Sequence, residues 1–270
     1  MKLIDTHAHL QFKAYDEDRD DIVKRNSKEL EAAVNVGTSV ESSEKAIELS
    51  SNQDNFFASV GVHPHHVDQW TDETYDQLKS LGQNPKVVAV GEIGLDKHVY
   101  KPLRVLRSDE LKGYPEPDIK QQAKILEEQL NLALEIQKPI LFHCRNAYDE
   151  LYDQVKKYKG QIRGLMHCYM GTWGQAKKFL DLGLYISFSG NITYKGNDYI
   201  RDVARKLPED KILTETDSPF LSPEGRRGKR NEPTYVKMVV TTIATLKEWA
   251  LQEAAHTTAK NAKDLFRIQP

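Results

Sequence analysis

A single α/β domain folded as a (β/α)8 TIM-like barrel over residues 1–270 is the architecture this sequence predicts. Three observations lead there: eight short apolar runs recur along the chain, segments of helical period separate them, and metal-ligand side chains close several runs at the same end. The runs fall at 2–6, 32–36, 56–62, 87–92, 139–144, 162–168, 184–189 and 211–216. Most are near-continuous in apolar and β-branched residues, the pattern of parallel strands covered on both faces. The clearest helix separates the fourth and fifth runs, where Ile125, Leu126, Gln129, Leu130, Ala133, Leu134 and Ile136 trace one face of 119–136. A final helix is expected near 233–248. Eightfold strand–helix alternation calls for a barrel, with a doubly wound sheet as the alternative arrangement of the same elements. The connection 97–118, with Pro102, Gly113, Pro115 and Pro117, is long for a βα loop. On the catalytic face of a barrel it reads as a lid or substrate-contacting loop, or as a surface insertion.

Bulk properties narrow the function classes. With 39% hydrophobic and 29% charged residues the chain can bury a large core. A net charge of −2 argues against a nonspecific nucleic-acid coat protein while leaving room for a local basic patch. No apolar stretch approaches the roughly 20 residues of a bilayer span, so no membrane partner is expected. The start, Met1-Lys2-Leu3-Ile4-Asp5, has no apolar signal segment. The two cysteines, Cys144 and Cys168, make no disulfide framework, and a reducing cytoplasm is the expected compartment.

His7 and His9 end the first run, and residues i and i+2 of a strand point the same way, so both imidazoles face one point in space. Four more ligand types close later runs: Glu92 on strand 4, His143 on strand 5, His167 on strand 6 and Asp217 on strand 8. All lie at C-terminal strand ends, the face where a barrel concentrates chemistry. Four imidazoles and two carboxylates exceed the needs of one four-coordinate ion. They divide between two divalent ions, Glu92 bridging with one oxygen to each; Zn, Mn, Fe and Ni suit this donor set, Mg less so. Paired ions of this kind activate water and stabilise the entering and leaving oxygens of a phosphoryl displacement.

Several segments resemble the signatures of the TatD-related metal-dependent deoxyribonucleases of the amidohydrolase superfamily. These are Asp5-Thr6-His7-Ala8-His9-Leu10, Gly61-Val62-His63-Pro64-His65, Gly91-Glu92-Ile93-Gly94-Leu95-Asp96 and Glu215-Thr216-Asp217-Ser218-Pro219. Arg227-Gly228-Lys229-Arg230-Asn231-Glu232-Pro233 and Asn261-Ala262 follow in family order. The resemblance implies a TIM-like barrel and a divalent-metal-dependent hydrolase, typically of DNA phosphodiesters. It also implies His7, His9, Glu92 and Asp217 around one ion, and Glu92, His143 and His167 around the other. The chain departs from the family pattern at Lys97, where an aromatic residue is usual, at the long 97–118 connection, and in carrying both Arg226 and Arg227 before Lys229.

Around this constellation His63 and His65, split by Pro64, read as substrate phosphate contacts. Arg145 shares the inward face with His143, where its guanidinium suits a phosphate or a salt bridge to a barrel acid. Lys195, Arg227 and Arg230 are weaker phosphate-binding candidates, the basic run 226–230 forming a track for a polyanion backbone. Strand alternation is expected to turn Cys144 and Cys168 away from the barrel axis as small buried hydrophobes. The reading is a nucleic-acid phosphodiesterase, acting on DNA, with Asp217 as proton acceptor beside Glu92 and Glu215 in support. A hydrolase acting on a carbonyl, such as a deacylase of aminoacyl-tRNA, uses the same ligands. A non-catalytic protein with structural metals fits less well, since structural zinc prefers closed, thiolate-rich shells.

Overall fold

In the computed structural model, which describes residues 2–99 and 116–269, eight parallel strands form one sheet in the order β1 to β8. They are β1 Ile4–Ala8, β2 Ala32–Val36, β3 Phe56–Val60, β4 Val87–Asp96, β5 Ile140–Arg145, β6 Gly164–Met166, β7 Tyr185–Phe188 and β8 Ile212–Thr214. Between them run α1 Arg19–Glu29, α2 Val40–Ser51, α3 Thr74–Gly82, α4 Ile119–Glu135, α5 Tyr148–Val155, α6 Trp173–Leu180 and α7 Asp198–Lys206. The sheet is brought round by the segment after β8: Ala8 bridges Ser218, His9 N–H donates to Ser218 O at 2.7 Å, and Asp217 N–H donates to His7 O at 2.9 Å. That closure rules out the doubly wound alternative.

The strands are buried on both faces, as their unbroken apolar runs require. Outside the sheet, Val90, Ile93, Phe142 and Ile186 pack with Leu126 and Leu130 of α4 and Phe179 of α6. A second cluster joins Ile4, Val34, Leu141, Leu165 and Leu213 to Ala259, Ala262, Leu265 and Phe266. Those last residues belong to a helix not anticipated from sequence. The expected final helix is α8 Val236–Lys247, and it is followed by α9 Leu251–Phe266. The segment 251–266 is rich in alanine and threonine, and these small residues together with Leu265 and Phe266 pack it against β1 and β8. The 97–118 connection falls mostly outside the described residues.

Two features of α4 and β4 place the site. Asp118 caps α4, its carboxylate accepting from Lys120 and Gln121 N–H at 3.0 and 3.1 Å. From that helix Gln122 pairs with both backbone groups of Asp96, and Gln129 with both of Val62, so two buried amides fix the ends of β4 and of the β3 region. On β4, Gly94 has φ +153, and a Cβ there would stand 1.8 Å from His143 O. Its missing side chain lets β4 and β5 approach closely enough for Glu92 and His143 to touch. Gly94→Ala is therefore expected to destabilise the metal-free protein by about 3 kcal/mol, the upper range for overpacking a core. Urea unfolding at unchanged m-value measures it, and a midpoint equal to wild type would show that the strands can separate without cost.

Candidate metal centre

Six of the residues singled out in the sequence converge on the C-terminal mouth of the barrel. His7 and His9 leave β1 with Nε2 atoms 3.1 Å apart. Glu92 stands between two sets of nitrogens. Its Oε2 lies 3.3 and 3.7 Å from Nε2 of His7 and His9, while its Oε1 lies 2.6 Å from Nδ1 of His143 and 3.0 Å from Nε2 of His167. Asp217 Oδ1 faces the first set, at 3.8 Å from His7 and 3.6 Å from His9. Asp217 does not end a strand as expected. β8 stops at Thr214, and Asp217 follows in the left-handed region (φ 56), tied by its N–H to β1.

The orientation of each imidazole is set by what its other nitrogen meets. His9 Nδ1 lies 2.8 Å from Val36 O; a carbonyl only accepts, so the proton is on Nδ1 and Nε2 presents a lone pair inward. His167 Nδ1 lies 2.9 Å from Glu215 Oε1, which also accepts from Ser189 Oγ and Cys168 N–H at 2.7 Å each. His143 Nε2 lies 2.9 Å from Asp96 Oδ2, leaving Nδ1 toward Glu92. His7 is held by stacking on His167, ring centroids 3.9 Å apart, and by a strand whose Asp5 carboxylate accepts from His7 N–H and from Thr216 N–H and Oγ1. Carboxylate-oriented imidazoles around a shared carboxylate are the donor set that divalent transition ions take, and the residues present fit them.

The charges of this cluster shift one another. Burial pushes Glu92 up, but the imidazoles of His167, His7, His63 and His143 outweigh it and hold the carboxyl well below the usual range. Burial lowers His143 while Glu92 and Asp96 raise it, to about 9. Burial also raises Glu215, yet His167 brings it down to about 2.

A cleft of about 320 Å³ opens over these groups. Arg145 and His63 line it, with Phe12, Met170, Tyr194 and Phe220 supplying an apolar wall. The structure places the other predicted phosphate contacts differently. His65 is buried away from the cleft, its Nε2 3.2 Å from Asp96 Oδ2, because the 3-10 turn starting at Pro64 swings it behind His63. Arg230 makes a two-pronged pair with Asp18 at 2.7 and 2.6 Å and lies over the Tyr15 ring, so its donors are engaged within the fold. Lys195 is exposed and stands outside the cleft lining. Arg227 is exposed and stacks on Tyr194, 4.3 Å from its centroid, at the rim. Cys168 is not turned away: β6 ends at Met166, a positive φ of 42 breaks the alternation, and the residue lines the cleft beside Cys144. Burial pushes the Cys168 thiol up to about 12, which leaves it protonated and unreactive. Asp96, which backs His143, is marked in sequence only as a carboxylate at the end of the same strand as Glu92.

Glu215 gives this network a pH signature. Its carboxyl drops from an ordinary 4.5 to about 2 on folding, so it contributes stability that is present above pH 4.5 and lost as pH falls toward 2. Glu215→Gln should flatten the stability of the metal-free protein across that window relative to wild type. Denaturation midpoints at stepped pH measure this, and parallel curves for the two proteins would remove Glu215 as an ionised orienting group.

Comparison with known proteins agrees with this geometry. A model of TatD related DNases matches residues 4–267. The uncharacterized metal-dependent hydrolase YabD of Bacillus subtilis (strain 168) is 37% identical over 268 residues, 98% of this chain and 99% of its own. The 3'-5' ssDNA/RNA exonuclease TatD of Erwinia tasmaniensis is 31% identical over 277 residues, spanning 98% of this chain and all (100%) of its own. The crystal structure of YjjV, a TatD homologue from Escherichia coli K12, has a TM-score of 0.87 at 29% identity, covering 99% of this chain and 98% of that one. With its barrel, its histidine–carboxylate centre and these relatives, the chain belongs to the TatD-related DNase family of metal-dependent hydrolases.

Proposed function

We propose that the protein hydrolyses phosphodiester bonds of nucleic acid, DNA in particular, with two divalent ions. The observation that carries this reading is the division of labour at Glu92: one oxygen faces His7 and His9, the other His143 and His167. A single carboxylate between two nitrogen sets is suited to bridging, with Asp217 completing the first set. Ions held by these residues would supply positive charge at a phosphoryl transition state and make a water more acidic.

The chain's own groups do the rest. Asp217 is the more exposed of the two acidic groups lining the cleft, its side chain 15% exposed against 4% for Glu92, and it takes the proton of the attacking water. Arg145 lines the cleft and holds a phosphate oxygen; Arg227, steadied on Tyr194, holds the backbone phosphate at the rim. Phe12, Phe220 and Met170 offer the apolar faces on which unpaired bases stack. The Erwinia relative's name, a single-stranded DNA/RNA exonuclease, supports a polynucleotide substrate.

Glu92→Gln tests the reading directly. The variant should stay folded, hold fewer metal equivalents than wild type, and lose hydrolysis of a labelled DNA oligonucleotide. Wild-type turnover at unchanged metal content would overturn the bridging role.

The basic loop supplies a separate test, because Arg227 and Arg230 differ in what holds them. Arg227→Ala should weaken DNA binding and reduce the slope of log Kd against log salt by about one unit, with saturated turnover little changed. Arg230→Ala, whose charge already pairs with Asp18, should leave that slope alone. Equal slopes for wild type and Arg227→Ala would make the loop a solvated face.

A further inference from the structure

His63 differs from the other histidines of the site in what stands behind its ring. It caps the 3-10 turn Pro64–Gln69, and its Nδ1 accepts a hydrogen bond from His65 N–H at 3.1 Å. Its own N–H donates to Thr38 O at 2.9 Å, and Gln129 of α4 clamps the neighbouring Val62, so the ring hangs from a fixed backbone. A backbone N–H can only donate. Nδ1 therefore carries a lone pair, and the ring's one proton sits on Nε2. That Nε2 faces the centre, 3.8 Å from Glu92 Oε1, with the ring 4.5 Å from that of His143.

The polarity is opposite to that of the ligand histidines. His9, His143 and His167 each give a proton outward, to Val36 O, Asp96 and Glu215, so their inward nitrogens are the ones an ion would take once any proton there is displaced. His63 accepts outward and turns a proton to the centre. It falls within one cluster of possible ligands with Glu92 and His143, but coordination through Nε2 requires a lone pair that this tautomer lacks.

Resting on the hydrolase reading above, we propose that His63 is a catalytic residue that is neither ligand nor general acid. It is a fixed neutral donor, whose Nε2–H binds a phosphate oxygen of the substrate and strengthens as charge gathers there in the transition state. No proton moves. Releasing the Nε2 proton would leave an imidazolate, since Nδ1 cannot take up another proton while it accepts from His65. The role is that of an oxyanion-hole donor: oriented before the substrate arrives and set in a buried site where a hydrogen bond to developing charge counts most. The titratable groups facing the ring are His143, Glu92, His66 and His65, and none of them supplies a proton to Nδ1 in this arrangement.

Three measurements on zinc- or manganese-loaded protein test this. First, nitrogen-15 NMR of the histidine rings in the metal-free and zinc-loaded protein should show His63 protonated on Nε2 and bare on Nδ1 from about pH 6 to pH 9. Second, His63→Ala and His63→Gln should retain the wild-type number of metal equivalents. Third, with a single-stranded DNA oligonucleotide, His63→Ala should lose roughly 10²–10³-fold in kcat, the effect of deleting one oxyanion donor. His63→Gln, which keeps an N–H donor without a titratable group, should recover most of that loss, and the pH–rate profile of both should keep the wild-type shape. Loss of a metal equivalent in either variant would make His63 a ligand. Loss of a limb of the profile would make it a proton donor, and a proton found on Nδ1, a glutamine variant as slow as alanine, or an unchanged alanine variant would each overturn the proposal. Wild-type protein inert toward nucleic acid would instead count against the phosphodiesterase reading, with the tautomer and metal arms still deciding whether His63 ligates.

Discussion

Glu92 is a carboxylate on the floor of the cleft, 3% exposed, and an ionised group so placed costs on the order of several kcal/mol unless other charges and donors surround it. The rest of the centre is the compensation. Four imidazole nitrogens stand within 3.7 Å of its two oxygens, and the carboxyl stays ionised against the pull of burial. Those imidazoles are themselves buried and need acceptors on their far sides, which Val36 O, Asp96 and Glu215 provide. The acceptors need donors in turn, found in Ser189, Cys168 N–H and His98 N–H. One buried charge thus dictates three concentric layers of polar groups drawn from most strands of the barrel.

Much of this was legible in the sequence because strands have a simple period. Unbroken apolar runs mark eight parallel strands, and residues at or just beyond their ends mark the six side chains that converge at the barrel mouth. What escaped is what the period does not describe. β6 and β8 are only three residues long, and the chain beyond each turns through a left-handed residue, Cys168 or Asp217. Alternation extrapolated past such a residue assigns the wrong face, which is why Cys168 was expected outside and lies in the cleft. His65 was misplaced for a related reason: Pro64 begins a 3-10 turn, and the i, i+2 rule for strands no longer applies there. Arg230 reads as a free cation in one dimension because Asp18, its partner, is 212 residues away. The buried stripe of α9 is built largely of alanine and threonine, Ala254, Ala255, Thr258, Ala259 and Ala262, which read weakly as a core face, and nothing local marks it as the element that covers β1 and β8.

The histidines illustrate a further limit. All read alike as letters, yet the chemistry of each depends on a tautomer that only its second contact sets. An acceptor behind the ring makes a ligand, and a donor behind it makes a hydrogen-bond donor. In this site the two outcomes come from different kinds of backing element. Carboxylates and a strand carbonyl back the candidate ligands His9, His143 and His167, whereas a turn whose N–H groups are not used by a ladder backs His63. Replacing a strand end by a 3-10 turn is therefore enough to change what a histidine can do.

The same layering ties the centre to the integrity of the barrel. The seam between β1 and the segment after β8 is short, a bridge at Ala8–Ser218 and two backbone hydrogen bonds, one from Asp217 and one from His9. Those two residues, with His7, form one group of side chains that could hold a metal ion. Closing the barrel and assembling the set are consequently one event: the hydrogen bond from Asp217 N–H to His7 O that closes the sheet also brings the Asp217 carboxylate opposite the His7 ring. Linkage then runs both ways. A group that binds His7, His9 and Asp217 together holds the seam shut, and a seam held by few hydrogen bonds gains more from that than a long ladder would. Asp5, buried beneath His7 and accepting from Thr216 on the far side of the seam, is the polar rivet that keeps the two edges in register before any ligand arrives.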